Sequence, residues 1–268
     1  AVPTHYFDKS DPYWVEYAPE GYHASEAIQW FYALGSTAGW PALGNYMLAM
    51  MPVARTSPML AAVGLSYEEA TGFHKLAGAM ALIFVSLHGI FCQLPLLDVS
   101  WQVYVVNMWD PTMQPGQWDF AGQVAWILQV VMTVLALQYF RRKHYRLFRI
   151  SHAVLFPLVI IFTVIHIWDG FWYFMPGMTL YMVDVAQRTT TNCHYTTAAL
   201  TAVSDDVVIL RVAAPWGPGS ATARGITGRF VYLCLPSLSR LEWHPMSIAR
   251  GDADGSLLFV VKVWRLFP

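Results

Sequence analysis

Residues 74–88 read HKLAGAMALIFVSLH, and residues 152–166 read HAVLFPLVIIFTVIH. Each stretch begins and ends with a histidine and is mostly apolar in between, so the two histidines of a pair are fourteen residues apart. On an α-helix fourteen residues make close to four turns, which returns both rings to one face, about 21 Å apart along the axis. The two stretches therefore predict two apolar helices, each with two imidazoles on one face.

Two such helices side by side would stack their histidines in two layers. A low-spin haem with two axial histidines needs that arrangement, and two layers would carry electrons across a membrane. We therefore predict that two b-type haems have four iron ligands here: His74, His88, His152 and His166. A single histidine on an apolar helix is more often a hydrogen-bonded core residue. A transporter that relays protons through intramembrane histidines is an alternative, and it predicts no haem absorption band.

The composition indicates a membrane protein. Of the 268 residues, 56% are hydrophobic and 12% charged, with a mean hydropathy of +0.40. Soluble domains carry about twice that charged fraction. The net charge of −1 and the absence of a long basic block predict no nucleic-acid partner, and membrane lipid is the expected surrounding. Three widely separated cysteines favour neither a disulfide framework nor a zinc site.

The chain divides by sequence into three predicted regions. Residues 1–27 read as an extracytosolic segment, residues 28–187 as a transmembrane haem domain, and residues 190–268 as a domain of short β-strands. The predicted apolar spans lie at about residues 28–52, 73–97, 120–140, 148–168 and 172–185, and residues 98–118 read as an interfacial loop.

The orientation follows from the basic cluster Arg141-Arg142-Lys143-His144-Tyr145-Arg146. Positive loops stay in the cytosol, so this loop is predicted to face the cytosol. His74 and His152 should then pair near the cytosol, and His88 and His166 near the far side. Lys75, Arg149 and Arg55 would lie at the cytosolic face, where they could pair with haem propionates, although positive-inside anchoring explains them as well.

The sequence changes character after about residue 190. VVILRV, GRFVYLCLP and GSLLFVVKV are short β-runs separated by turn residues, which is typical of an antiparallel β-barrel. The printed chain contains neither GxGxxG nor GxxxxGK, the glycine-rich signatures of nucleotide binding.

Several of these stretches, taken together, resemble the ferric reductase and NADPH oxidase superfamily. The histidine spacing and the HPxS pattern are the specific parts, and PVARTSP, RRKHYRLFRISH, MPGMTLYMVD and PSLSRLEWHPMSIA are similar to plant-type ferric-chelate reductases. The resemblance implies an α-helical transmembrane haem-binding bundle followed by a partial antiparallel β-barrel of the FAD-binding, ferredoxin-reductase type. It also implies that the printed chain is a fragment without the C-terminal NADPH domain.

The resemblance implies a role for a short motif in the β-region. His244, Pro245 and Ser247 match a flavin motif in which the hydroxyl hydrogen-bonds the reactive edge of the FAD ring, and Met246 replaces the family's usual phenylalanine. A proline turn between two strands is the structural alternative. Lys262 lies where the family places residues near the flavin pyrophosphate, but the sequence after it departs from the family pattern.

The function implied by the resemblance is that of an NADPH-dependent ferric-chelate reductase. Electrons would pass from NADPH through FAD and two haems to ferric chelate outside, across the plasma membrane, with the FAD domain in the cytosol. One alternative is an oxidase that reduces dioxygen to superoxide; that branch more usually separates its second histidine pair by thirteen residues, against fourteen here. The other is a haem electron relay without its own dehydrogenase, which would not need a flavin motif.

Overall fold

The computed structural model describes residues 23–54, 60, 62–65, 67–109, 119–190, 193–213, 229–235, 243–252 and 254–262. The chain forms two compact units, Ala1–Gln187 and Arg188–Pro268. Within the described residues the first unit is helical and the second contains antiparallel strands. The functional assignments of residues 1–27, 28–187 and 190–268 stay predictions.

The first unit contains seven described α-helices: α1 (Glu26–Met50), α2 (Tyr67–Val99), α3 (Trp101–Trp109), α4 (Asp119–Leu135), α5 (Gln138–Lys143), α6 (Tyr145–His166) and α7 (Gly170–Thr190). Ser25 caps α1, and its hydroxyl accepts a hydrogen bond from the N–H of Ile28 at 3.3 Å. A short 3₁₀ turn, Met51–Val53, follows α1. The histidine pairs lie on α2 and α6, as their spacing predicted.

Two described helices are long and apolar enough to cross a membrane. They are Glu69–Val99 within α2, with a hydropathy of 1.9, and Tyr145–His166, with a hydropathy of 2.1. Both expose large apolar side chains, among them Leu76 and Ile83 on α2 and Ile161 on α6. Exposed apolar surface of this extent is what lipid covers.

Two sequence expectations about helix boundaries were wrong. Residues 98–118 were expected to form a loop, but Trp101–Trp109 form α3, whose Met108 packs with Leu96 in a small apolar cluster. The span predicted at residues 120–140 is also divided, because α4 ends at Leu135 and the separate α5 begins at Gln138. Residues 1–22 and 110–118 lie outside the described part of the chain.

Close helix packing in this unit depends on glycine. α1 packs along α2, α4 along α6, and α7 against α1. A Cβ at Gly35 would lie 2.8 Å from the Cβ of Phe91, and one at Gly177 would lie 2.4 Å from the Cβ of Met50. Small residues let helix backbones approach in a membrane, where van der Waals contact and not hydrophobic exclusion holds helices together.

The second unit contains six described strands: β1 (Ala198–Ala202), β2 (Val207–Ala213), β3 (Phe230–Leu233), β4 (His244–Ser247), β5 (Arg250–Gly251) and β6 (Ser256–Lys262). One antiparallel sheet has the order β1-β2-β6-β5, and β3 pairs with β4 in a second. The described strands thus form two open sheets. The sequence prediction of antiparallel strands is confirmed, but these strands make no closed barrel.

The core of the second unit follows the two-residue period of its strands. Leu210 lies opposite Phe259, and Val212 opposite Leu257, and all four side chains are buried. The turn before β6 needs a glycine at Gly255, where φ is +85°. Hydrogen bonds from the hydroxyl and backbone N–H of Ser256 hold the pKa of Asp254 below its usual value.

We expect Phe259→Ala to lower the free energy of unfolding of the second unit by about 3–5 kcal/mol, because it removes a ring that is 1% exposed. Val260 is the matched control. It is the next residue on the same strand but is 58% exposed, so Val260→Ala should cost less than about 1 kcal/mol. Amide hydrogen exchange of β2 and β6 measures both changes, and equal losses would contradict this account of the core.

Candidate functional site

Two pairs of imidazoles face each other between α2 and α6. The ring centroids of His74 and His152 are 6.1 Å apart, and those of His88 and His166 are 6.0 Å apart. The ring planes within the pairs are inclined at 68° and 59°. The structure thus brings together the partners that the two fourteen-residue spacings predicted, at two levels of one helix pair.

This separation suits one metal ion between the two rings of each pair. A metal–nitrogen bond of about 2 Å and roughly 1 Å from ring nitrogen to ring centre place two trans imidazoles about 6 Å apart. Two imidazoles alone would not complete the coordination of an iron, and a porphyrin would supply the remaining ligands. The residues present therefore fit a haem at each level.

Helix α1 holds the two histidines of α2. The Nδ1 of His74 lies 2.8 Å from the backbone oxygen of Ala49, and the Nδ1 of His88 lies 2.9 Å from that of Gly35. When each Nδ1–H donates to its carbonyl, the Nε2 lone pair is left to bind a metal. Gly35 and Ala49 are themselves fourteen residues apart, so α1 repeats with the same period as the ligands.

The histidines of α6 have different surroundings. The Nδ1 of His166 lies 3.9 Å from the Oδ1 of Asp119, at the start of α4. The Nδ1 of His152 is buried and has no hydrogen-bond partner among the described residues, and its ring lies 5.5 Å from that of Phe148. The two α6 histidines therefore differ in what supports them.

Two glycines face the rings of the His88–His166 pair. A Cβ at Gly39 would lie 3.2 Å from the Nδ1 of His88, and a Cβ at Gly122 would lie 3.0 Å from the Nδ1 of His166. The same pair lines a cavity of about 570 Å³, which is within the usual range for a bound small molecule or cofactor. Side chains larger than glycine at positions 39 and 122 would clash with the rings of His88 and His166.

An apolar layer separates the two histidine levels. Ala81 and Val159 each lie seven residues from the histidines on either side of them, and both side chains are fully buried. They belong to a core with Leu43 and Tyr46 of α1 and Phe174 of α7. The first unit is thus organised in three levels, histidine, apolar and histidine.

The residues of the HPMS motif form a strand, so this motif is not a turn. β4 pairs with β3 in a register that sets Ser247 opposite Phe230 and His244 opposite Leu233. Met246 packs against the buried core, whereas His244, Pro245 and Ser247 are exposed. The Ser247 hydroxyl is therefore accessible to a ligand of this unit.

The basic residues that were singled out by sequence lie at the edges of their elements. Lys75 follows His74 on α2, and Arg149 is on the first turns of α6; both are exposed. Lys262 ends β6, and its Nζ lies 3.9 Å from the Oδ2 of Asp206. Arg55 lies outside the described residues.

The comparisons with known proteins agree with this arrangement. The family described as "ferric reductase like transmembrane component" matches residues 38–163, a range that contains His74, His88 and His152. Ferric reduction oxidase 4 of Arabidopsis thaliana is 28% identical over 83% of this chain and 31% of its own length. The chain is therefore similar to the transmembrane component of ferric reductases over residues 38–163, and to ferric reduction oxidase 4 over most of its length.

Other relatives include both a ferric reduction oxidase and a respiratory burst oxidase homolog. Ferric reduction oxidase 2 of Arabidopsis thaliana is 27% identical over 78% of this chain and 28% of its own length. Respiratory burst oxidase homolog protein A of Solanum tuberosum is 24% identical over 81% of this chain and 26% of its own length. The chain spans about a third or less of the length of these relatives. The match to a transmembrane component and the two membrane-length apolar helices indicate an integral membrane protein.

We expect Gly122→Ala to weaken haem retention at the His88–His166 level, because the added methyl group would crowd the His166 ring. Gly44→Ala is the matched control, since nothing lies within 4 Å of a Cβ at that position. Haem content of the purified protein, measured as pyridine haemochrome, checks the prediction. Equal haem content in both variants would show that the ring tolerates the methyl group.

Proposed function

We propose that this chain transfers electrons across a membrane through two b-type haems. In this proposal His74 and His152 bind one iron, and His88 and His166 bind the other. The observation that carries it is the repeated pair of ring separations, 6.1 and 6.0 Å, at two levels of the same two helices. Bound haem supplies one-electron redox chemistry at each level.

The chain's own residues orient and insulate these two sites. The Ala49 and Gly35 carbonyls would accept hydrogen bonds from the Nδ1–H groups of His74 and His88, which would leave their Nε2 atoms to bind iron. The apolar level with Ala81 and Val159 excludes water between the sites. By the positive-inside prediction, the His74–His152 level receives electrons on the cytosolic side and the His88–His166 level delivers them on the other.

We propose that the electrons come from NADPH through FAD bound at the second unit. His244, Pro245 and Ser247 are the proposed flavin contacts, supported by the HPxS resemblance and by the exposure of these residues on β4. A hydride carries two electrons, so each NADPH oxidised to NADP⁺ would reduce two one-electron acceptors and release one proton on the donor side.

Ferric chelate is the proposed acceptor, since several relatives are named ferric reduction oxidases. The second candidate is dioxygen, favoured by the similarity to a respiratory burst oxidase homolog. The fourteen-residue separation of the second histidine pair supports the reductase reading. A haem relay without a dehydrogenase is a third candidate function. The HPMS motif argues against it, because such a relay would not need a flavin motif. The plasma membrane stays a prediction, as does the cytosolic location of the FAD domain.

The haem assignment predicts a stepwise loss of haem. His88→Ala or His166→Ala should leave one haem per chain, because a single imidazole cannot hold the second iron in a six-coordinate low-spin state. His74→Ala or His152→Ala should also leave one haem, and should stop electron entry as well. The measurement is haem per protein by pyridine haemochrome, together with the reduced-minus-oxidised spectrum.

His144→Ala is the matched control for the haem ligands. His144 lies exposed between α5 and α6 and faces no second histidine, so its replacement should leave two haems. Two haems retained in His74→Ala would refute the assignment of that ligand. A chain that binds no haem at all would favour the proton-relay alternative.

The flavin assignment predicts that Ser247→Ala slows electron transfer from FAD to haem more than it weakens FAD binding. The lost hydrogen bond is worth about 1 kcal/mol, and a misplaced ring could cost more in rate. Ser247→Thr keeps the hydroxyl and should restore the rate. Stopped-flow haem reduction at saturating FAD, in the full-length protein, measures both. Identical rates in the unmodified protein, Ser247→Ala and Ser247→Thr would show that the motif has only a structural role.

A further inference from the structure

We infer that Asp119 lowers the midpoint potential of the haem held by His88 and His166, acting through the His166 ring. This inference rests on the proposed function, because it assumes that the pair binds haem. Asp119 would be a positioning residue: its carboxylate reaches the far side of a ligand and does not itself contact the iron. It would make the two haems electrically unequal although both have two histidine ligands.

Helix α4 provides two residues that lie on the Nδ1 side of the His166 ring. Asp119 is the first residue of α4, and its Oδ1 lies 3.9 Å from the Nδ1 of His166. This distance is within ion-pair range and beyond a direct hydrogen bond. Gly122, one turn further along α4, lies against the same nitrogen, since a Cβ there would be 3.0 Å from it. Gly122 leaves space for the His166 ring, and Asp119 faces its Nδ1.

Among the described residues, no direct carboxylate contact is recorded at His74, His88 or His152. The Nδ1 atoms of His74 and His88 face the backbone carbonyls of Ala49 and Gly35, and the Sγ of Cys92 also lies 3.7 Å from the Nδ1 of His88. The charge of Asp119 also acts on His88, the partner ring at the same level. His152 has no hydrogen-bond partner among the described residues. Within the described part of the chain, the acidic contact recorded at a ligand ring is therefore that of the His88–His166 level.

At 3.9 Å the carboxylate acts on the His166 ring and the metal beyond it through its charge and not through a direct hydrogen bond. The ferric haem would carry one more positive charge than the ferrous haem, so the nearby negative charge would stabilise the ferric state more. The apolar surroundings of the bundle strengthen this electrostatic effect. The midpoint potential of that haem falls, which makes it a better reductant toward the outer acceptor.

The test is a spectroelectrochemical titration of the full-length, haem-loaded protein and three variants. Asp119→Asn keeps the shape and removes the charge, and it should move one of the two haem titration steps to higher potential while leaving the other in place. Asp119→Glu keeps the charge and should titrate like the unmodified protein. Asp169→Asn removes an acidic residue from the lining of the same cavity and should move that step less than Asp119→Asn does.

Each outcome decides the inference. Two haems with unmoved potentials in Asp119→Asn, or an equal shift in Asp169→Asn, would overturn the role of Asp119 and leave the proposed function standing. An unmodified protein without two haems would overturn the proposed function and this inference with it. If Asp119→Asn loses the haem, the Asp119→Glu variant decides the question. Two haems at unmodified potentials in Asp119→Glu would support the role of the charge. Loss of haem or a raised potential in that variant would refute it.

Discussion

The hydrogen bonds of the two α2 imidazoles constrain how helix α1 packs in the first unit. Each ring has two nitrogens, and a polar group buried away from water is costly unless it has a partner. For His74 and His88 the partners of the Nδ1 atoms are carbonyls of α1, which requires α1 to lie close along α2. Gly35 permits this close approach, because a Cβ there would clash with Phe91. The α6 histidines are supported differently, since the Nδ1 of His152 has no hydrogen-bond partner among the described residues.

The sequence predicted the two histidine-bearing helices because the pattern that marks them is local. A fourteen-residue interval between histidines inside an apolar run can be read directly from the sequence. Both runs form helices, and their histidine rings face each other. Helix α3 was missed because the residues between 98 and 118 contain prolines, acids and tryptophans, which read as a loop. Its segment WQVYVVNMW is helical since Met108 and Leu96 pack together, a contact between separate elements.

The supports of the histidines could not be predicted in the same way. Any residue has a backbone carbonyl, so nothing in the sequence marks Ala49 or Gly35 as acceptors. Gly122 and Asp119 matter only because α4 packs on α6 at the height of His166. In the second unit the two-residue periods predicted the strands, but the pairing order β1-β2-β6-β5 depends on long-range contacts that a period does not encode.

The repeat of seven residues separates the two histidine levels by an apolar level. Ala42, Ala81 and Val159 lie midway between the residues that build the two histidine levels on α1, α2 and α6, and all three are buried. Ala81 and Val159 share this core with side chains of α1 and α7, among them Leu43 and Phe174. In the described part of the chain, α2 packs mainly along α1, and α6 packs mainly along α4. The separation of about 6 Å between the paired rings is therefore set by the neighbouring helices and the shared apolar core, and not by extensive direct packing of α2 on α6.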